Sequence, residues 1–123
     1  MAKKLILLVD DEEHLLKINE IRLKASGYEV ETANDGEKAL NKARTINPDI
    51  IILDVMLPKL DGYKICQMLK FDETFSHIPI ILLTARAQES DKAIGLQTGA
   101  DVFMTKPFDS AELLANIKRL VNE

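Results

Sequence analysis

Residues 50–54 read Ile50-Ile51-Ile52-Leu53-Asp54, four apolar side chains in unbroken succession that end on a carboxylate. A strand with one wet face alternates apolar and polar residues. An unbroken apolar run instead fits a strand covered on both faces, as in a parallel sheet. Two further segments have the same form: Leu5-Ile6-Leu7-Leu8-Val9 runs into Asp10-Asp11, and Val102-Phe103-Met104-Thr105 runs into Lys106-Pro107. If the three strands lie parallel in one sheet, their carboxyl ends share an edge, where open α/β sheets place their ligands. Three carboxylates and one ammonium would then gather at one spot.

Outward from these runs, strand and helix alternate five times. A helix is expected from about Glu12 to Ser26, with Gly27 as its left-handed C-terminal residue. Tyr28 to Ala33 alternates apolar and polar, as in a half-exposed strand near an edge. Asp35-Gly36 opens a second helix that ends before Asn47-Pro48. After the third strand, the turn from Leu57 to Gly62 leads into a helix from Tyr63 to about Phe71. Pro79 to Thr84 is a fourth apolar strand, and a short, weakly amphipathic helix is expected from Ser90 to Thr98, ending at Gly99. The fifth strand and a helix from Ser110 to Asn122 follow. This spacing predicts right-handed βαβ crossovers and an α/β, doubly wound, five-stranded parallel sheet with five helices on its two faces, all in one domain over residues 1–123. The chain is expected to be either a complete single-domain protein or a piece of something longer.

The composition narrows the classes. Hydrophobic residues make up 46% of the 123, with no Trp, so the core is aliphatic. A net charge of -4 argues against a general nucleic-acid-binding domain, which would show a basic stripe. The lone cysteine, Cys66, has no internal partner for a disulfide, so a reducing cytoplasm is the expected compartment. Met1-Ala2-Lys3-Lys4 and five apolar residues imitate a signal peptide only briefly before Asp10-Asp11 cuts the run short. No segment is long enough to span a bilayer.

Each acidic residue at the strand ends has an ordinary explanation as a helix cap or turn opener. Their convergence does not. Two carboxylates about 5 Å apart repel by roughly 3 kcal/mol at an effective dielectric of about 20. Three on one edge therefore require a cation or protons. An all-oxygen set without His or Cys suits a hard ion, Mg²⁺ or Mn²⁺. A carboxylate is also a nucleophile towards phosphorus. The transferring group carries its charge on equatorial oxygens and needs electrostatic partners, which Lys106 and the metal would supply. Thr84, ending Ile80-Ile81-Leu82-Leu83 on the same edge, adds a hydroxyl donor. Taken singly, Lys106 reads as a solvated loop lysine and Thr84 as a strand-end cap.

These residues resemble the receiver domain of two-component response regulators, over the whole chain. The likeness rests on Asp10-Asp11, Asp54, Met56-Leu57-Pro58 with Asp61-Gly62, Thr84-Ala85 and Lys106-Pro107, in order on strand ends. It implies the flavodoxin-like strand order 2-1-3-4-5. It further implies that a histidine kinase or histidine phosphotransfer protein passes a phosphoryl group to Asp54 in a Mg²⁺-dependent reaction. Asp11, Asp54 and the Met56 backbone carbonyl would be direct metal ligands, with Asp10 acting through bound water. Lys106 would contact the phosphoryl oxygens, and its bond to Pro107 would be cis. Thr84 and Phe103 would form the switch, and the surface of the fourth helix, fifth strand and fifth helix would signal to a downstream protein or output domain. The chain would assist its own phosphorylation and slow dephosphorylation without turning over an external metabolite.

Phe103 lacks the hydroxyl of the tyrosine common at that position, so it is expected to stay inward in both states, with a weaker rotamer switch. Met56 and Arg86, poor bases for positioning water, are expected to set a slow self-hydrolysis. His14, Leu15 and Ile18 on the first helix, with Pro107 and Phe108, are candidates for partner docking. The alternative is that Leu15 and Ile18 are core and His14 is plain surface. His77 and Cys66 read as structural. Lys92, Asp101, Glu112 and Lys118 match charged positions of a dimer surface found in regulators with winged-helix outputs, whereas Gln97, Val102 and Asn116 depart from it. A monomer or a weak phosphorylation-dependent dimer is therefore expected, with no direct nucleic-acid or membrane contact.

Three rivals stand beside this reading. An aspartate-nucleophile phosphatase would want a second Asp two residues after the nucleophile, where Met56 stands. A flavodoxin-like electron carrier would want a Ser/Thr/Gly-rich phosphate loop, where Asp10-Asp11-Glu12-Glu13 would repel a flavin phosphate. The third is a receiver-shaped module that binds partners without being phosphorylated.

Overall fold

Side chains alternate across a strand, so an apolar run splits into two sets that face opposite sides of the sheet. In the computed structural model, which describes residues 3–85 and 97–122, both sets are buried. The strands are β1 (Leu5–Val9), β2 (Glu29–Ala33), β3 (Ile50–Asp54), β4 (Ile80–Thr84) and β5 (Val102–Thr105). All pairings are parallel, in the order β2-β1-β3-β4-β5. The described helices are α1 (Glu13–Ala25), α2 (Gly36–Thr45), α3 (Gly62–Lys70) and α4 (Ser110–Leu120). This is the expected doubly wound sheet, with four of the five expected helices among the described residues. The helix anticipated over 90–98 falls almost wholly outside the described residues.

Leu7, Val9, Ile51, Leu53, Ile80 and Leu82 face α2 and α3, meeting Ala39, Ala43, Ile65, Cys66 and Leu69. Ile6, Leu8, Ile50, Ile52, Ile81 and Leu83 face α1 and α4, meeting Leu16, Leu23, Leu113 and Ile117. Every residue of β3 and β4 is buried. Each fully buried Leu or Ile contributes about 1.5–3 kcal/mol relative to exposure, so the central strands anchor the fold. β2 exposes Glu29 and Glu31 at one edge, as its alternation foretold, and glutamates on an edge discourage pairing with another chain.

The helix starts follow their caps. Asp35 accepts from Lys38 N–H, Asp61 from Lys64 N–H and Asp109 from Ala111 N–H. α1 departs from this pattern, because Glu12 makes no side-chain cap bond. Gly27 has φ 100°, the left-handed conformation expected after α1. The last helix stops at Leu120 rather than Asn122, where Asn122 takes φ 62°. Leu15 and Ile18 are half-buried, between the docking and the core readings, and Leu16 and Leu23 are the buried residues of α1. No described helix is long and apolar enough to cross a membrane.

Candidate functional site

Parallel register carries the ends of β1, β3, β4 and β5 to one edge. Val9 lies beside Leu53, Asp54 beside Leu83, and Thr84 beside Thr105. The residue after each strand end, or the last residue itself, therefore points into a common space. Asp10 is 4% exposed, Asp54 5% and Thr84 4%, whereas Asp11 is exposed. Carboxylate oxygens of Asp10, Asp11 and Asp54 all lie within 4.8 Å of one another.

Lys106 closes the group. Its Nζ donates to Asp54 Oδ2 at 2.8 Å and to Asp10 Oδ2 at 3.0 Å. Its backbone N–H donates to the Thr84 carbonyl at 2.6 Å, and the Lys106–Pro107 bond is cis. The other carboxylate oxygens are held by backbone: Asp54 Oδ1 accepts from Met56 N–H at 3.1 Å, and Asp10 Oδ1 from Glu12 N–H at 3.0 Å. Asp10 thus binds a donor before the helix rather than capping α1. A free carboxylate rotates; these two are held at both oxygens.

Burial raises the Asp54 carboxyl above its usual range, and the hydrogen bonds from Lys106 and Met56 only partly offset it. Burial opposes charge on Lys106 too, yet its bonds to Asp54 and Asp10 outweigh that and hold the ammonium protonated. With all three carboxylates ionised, one ammonium leaves the group two charges negative. The donor set, all oxygen and undercompensated, fits a hard divalent cation.

Other expected residues take plainer places. Phe103 is half-buried against the core shared with α2 and α3. Met56 is 68% exposed, so its side chain faces solvent while its N–H serves Asp54. His14 and Pro107 are exposed, and Phe108 is half-buried against the core shared with α1 and α4. Cys66 is buried and donates to the Thr98 carbonyl at 3.7 Å; burial pushes its thiol pKa up, as suits a structural cysteine. Arg86 and Lys92 lie outside the described residues. Asp101 is tied within the chain, accepting from Lys70 Nζ at 3.0 Å and Ile80 N–H at 2.9 Å.

Sequence reasoning missed how the loop after Asp54 is held. Gly36 N–H donates to the Pro58 carbonyl at 3.0 Å, and Gly62 N–H to the Val55 carbonyl at 2.9 Å. The signal was present as two Asp-Gly pairs: Asp35-Gly36 read as a helix start and Asp61-Gly62 as the end of a turn, neither as a point of close backbone approach.

Residues 6–118 match the family model described as the response regulator receiver domain. The alkaline phosphatase synthesis transcriptional regulatory protein PhoP of Bacillus subtilis is 50% identical over 121 residues, covering 98% of this chain and 49% of that protein. The DNA-binding dual master transcriptional regulator RpaA of Synechocystis is 44% identical, covering 94% of this chain and 48% of that protein. The chain spans about half the length of the curated relatives it matches. Among solved structures, the Francisella response regulator 1452 receiver domain aligns with a TM-score of 0.91 at 30% identity, covering 98% of each chain. The receiver domain of a sensor histidine kinase from Pseudomonas aeruginosa aligns at 0.90 and 35% identity, covering 99% of this chain and 100% of that one. That structure has a magnesium ion coordinated in its active-site cleft. The chain belongs to the response regulator receiver domain family, whose members are signalling switches.

Proposed function

We propose that Asp54 is the phosphoacceptor of this switch, taking a phosphoryl group from the phosphohistidine of a histidine kinase or a histidine phosphotransfer protein. The observation that carries the reading is the convergence of Asp10, Asp11, Asp54 and Lys106 at the carboxyl edge of the sheet. An Asp54 carboxylate oxygen forms a bond to phosphorus while the phosphorus–nitrogen bond breaks and the imidazole leaves with that electron pair. Lys106 lies where it meets the oxygens of the transferring group, and the Thr84 hydroxyl approaches from the neighbouring strand end. Both act as fixed electrostatic partners, which is most of what phosphoryl transfer asks of a protein. Asp11, Asp54 and the Met56 carbonyl, with Asp10 beside them, would hold Mg²⁺, or Mn²⁺ in its place. The ion would neutralise charge on the phosphoryl oxygens.

Met56 and Arg86 offer no base to position water, so the acyl phosphate hydrolyses slowly and the chain turns over no external metabolite. Thr84, with at most a weak rotamer change at Phe103, relays the state to the surface around β5 and α4, which signals to a downstream protein or output domain. His14, Leu15 and Ile18 of α1, with Pro107 and Phe108, dock the phosphodonor. With Asp101 engaged by Lys70, the chain acts as a monomer or at most a weak phosphorylation-dependent dimer. The proposed donor places it in the cytoplasm. Intact mass after incubation with acetyl phosphate tests the reading: one phosphoryl group should add with Mg²⁺ and none after chelation. No addition from several donors would instead favour a module that binds partners unphosphorylated.

A further inference from the structure

We infer that Gly36, the first residue of α2, is a positioning residue for the Asp54 site, acting through the loop 55–62; the inference rests on the reading of Asp54 given above. The loop leaves β3 at Asp54 and is fastened twice. Its far end returns to its base, where Gly62 N–H donates to the Val55 carbonyl at 2.9 Å. A Cβ on Gly62 would lie 2.8 Å from the Val55 Cα, so only glycine fits that approach.

The second fastening is to a different element. Gly36 N–H donates to the Pro58 carbonyl at 3.0 Å. A Cβ on Gly36 would fall on the Leu60 carbonyl oxygen and 2.6 Å from the Leu60 Cβ. Helix propensity alone favours alanine over glycine inside a helix. What glycine supplies here is room for the loop. Lys59, between the two contacts, has φ 70° and reaches Asp35 at 3.7 Å and Glu37 at 3.8 Å. Its side chain is 55% exposed, so those pairs are weak and the backbone contact at Gly36 carries most of the fastening.

Met56 sits between Asp54 and these anchors. Its N–H holds Asp54 Oδ1 at 3.1 Å, and its carbonyl is a proposed metal ligand. To admit a methyl group at Gly36, the loop at Leu60 must retreat by on the order of 1 Å to reach ordinary contact. A displacement of that size at a reacting group lowers rates by up to about a hundredfold. Lys106 and Asp10 would be untouched, so the loss would appear at Met56 and Asp54.

The test compares Gly36→Ala with Gly27→Ala. Gly27 has φ 100° and open space around a Cβ, so alanine there strains the backbone at the C-terminal end of α1, away from the loop. Both variants should lose stability. Two quantities are read well below either melting temperature: hydrogen exchange of the Met56 amide in metal-free protein, and the rate of phosphorylation by acetyl phosphate against Mg²⁺ concentration. Gly36→Ala should lower Met56 protection by about tenfold and slow labelling by about ten- to a hundredfold, while Gly27→Ala stays within about twofold of the parent. Unchanged Met56 protection in Gly36→Ala, or losses in both variants that follow stability alone, would overturn the inference. If Gly36→Ala does not fold, Pro58→Gly frees the backbone whose carbonyl accepts from Gly36 N–H, without a clash, and should lower Met56 protection by about threefold. Unchanged protection there would overturn it too. A parent that takes no label refutes the reading of Asp54 separately, and the Met56 amide still reports whether Gly36 holds the loop.

Discussion

Replacing Asp54 by Asn should stabilise the metal-free fold at neutral pH, and the size follows from the site. Asp54 shares the space with carboxylates of Asp10 and Asp11 whose oxygens lie within 4.8 Å. At an effective dielectric of about 20, each such partner repels by roughly 3 kcal/mol, with the smaller share from exposed Asp11. Lys106 at 2.8 Å attracts by about 6 kcal/mol on the same scale. Repulsion and attraction nearly cancel, and the desolvation of a buried carboxylate decides the sign. That penalty reaches several kcal/mol for an ion fully withdrawn from water, partly offset here by the Met56 N–H. Asn keeps the shape and the acceptor oxygen but sheds the charge, so a gain of about 1–2 kcal/mol is expected. The pH dependence follows from the raised Asp54 pKa. Protonated Asp54 is favoured in the folded state, so the cost of ionising it grows as pH rises from the unfolded value, about 3.9, and is complete above the folded one. The advantage of Asp54→Asn should thus be present at pH 7, fade as pH falls through the raised folded value, and be gone below about 4. Urea denaturation of both proteins in chelator, at neutral and acid pH, measures it. A variant less stable than the parent at pH 7 would refute the reasoning, because the Lys106 attraction would then outweigh burial.

Three further outcomes are expected. Gly62→Ala should cost about 2–3 kcal/mol in chemical denaturation, because its Cβ would meet the Asp54 and Val55 backbone of the buried strand end; a loss under about 0.5 kcal/mol would show that the loop yields freely. Phe103, already half-buried, should show the same burial with and without a beryllofluoride mimic of the phosphoryl group; a turn from solvent to core would restore the rotamer switch. Met56→Asn and Arg86→Glu should each shorten the lifetime of the labelled protein by severalfold, and label lost at the parent rate would remove these side chains from its control.

Most of the fold was readable because burial on both sheet faces leaves a mark that few other structures leave. Ile50-Ile51-Ile52-Leu53 and Ile80-Ile81-Leu82-Leu83 are apolar at every position, and both strands are central and wholly buried. Glu29 and Glu31 marked β2 as an edge for the converse reason. The grouping of Asp10, Asp11, Asp54 and Lys106 followed from parallel strand ends alone, since residues 96 positions apart meet once the edge is shared. Leu15 and Leu16 show where the reading ran out. Neighbouring leucines on a helix look alike in sequence, and the angle at which α1 lies on the sheet decides that Leu16 is buried and Leu15 only half-buried. Gly36 shows a second limit. An Asp-Gly pair announces a helix start through its cap, but the chain that packs on the glycine comes from residues 58–60, beyond any local pattern. Asp101 is a third case: matched in sequence to a charged position of a dimer surface, it is engaged within the chain by Lys70 and the Ile80 N–H.

The central claim is that one particular carboxylate of three becomes the acyl phosphate. Borohydride reduces an aspartyl phosphate to homoserine, so reduction after labelling with acetyl phosphate and Mg²⁺, followed by peptide mapping, reads the position directly. Homoserine at residue 54, with Asp10 and Asp11 intact, is the result predicted. Homoserine at residue 10 or 11, or at none of the three, would contradict it.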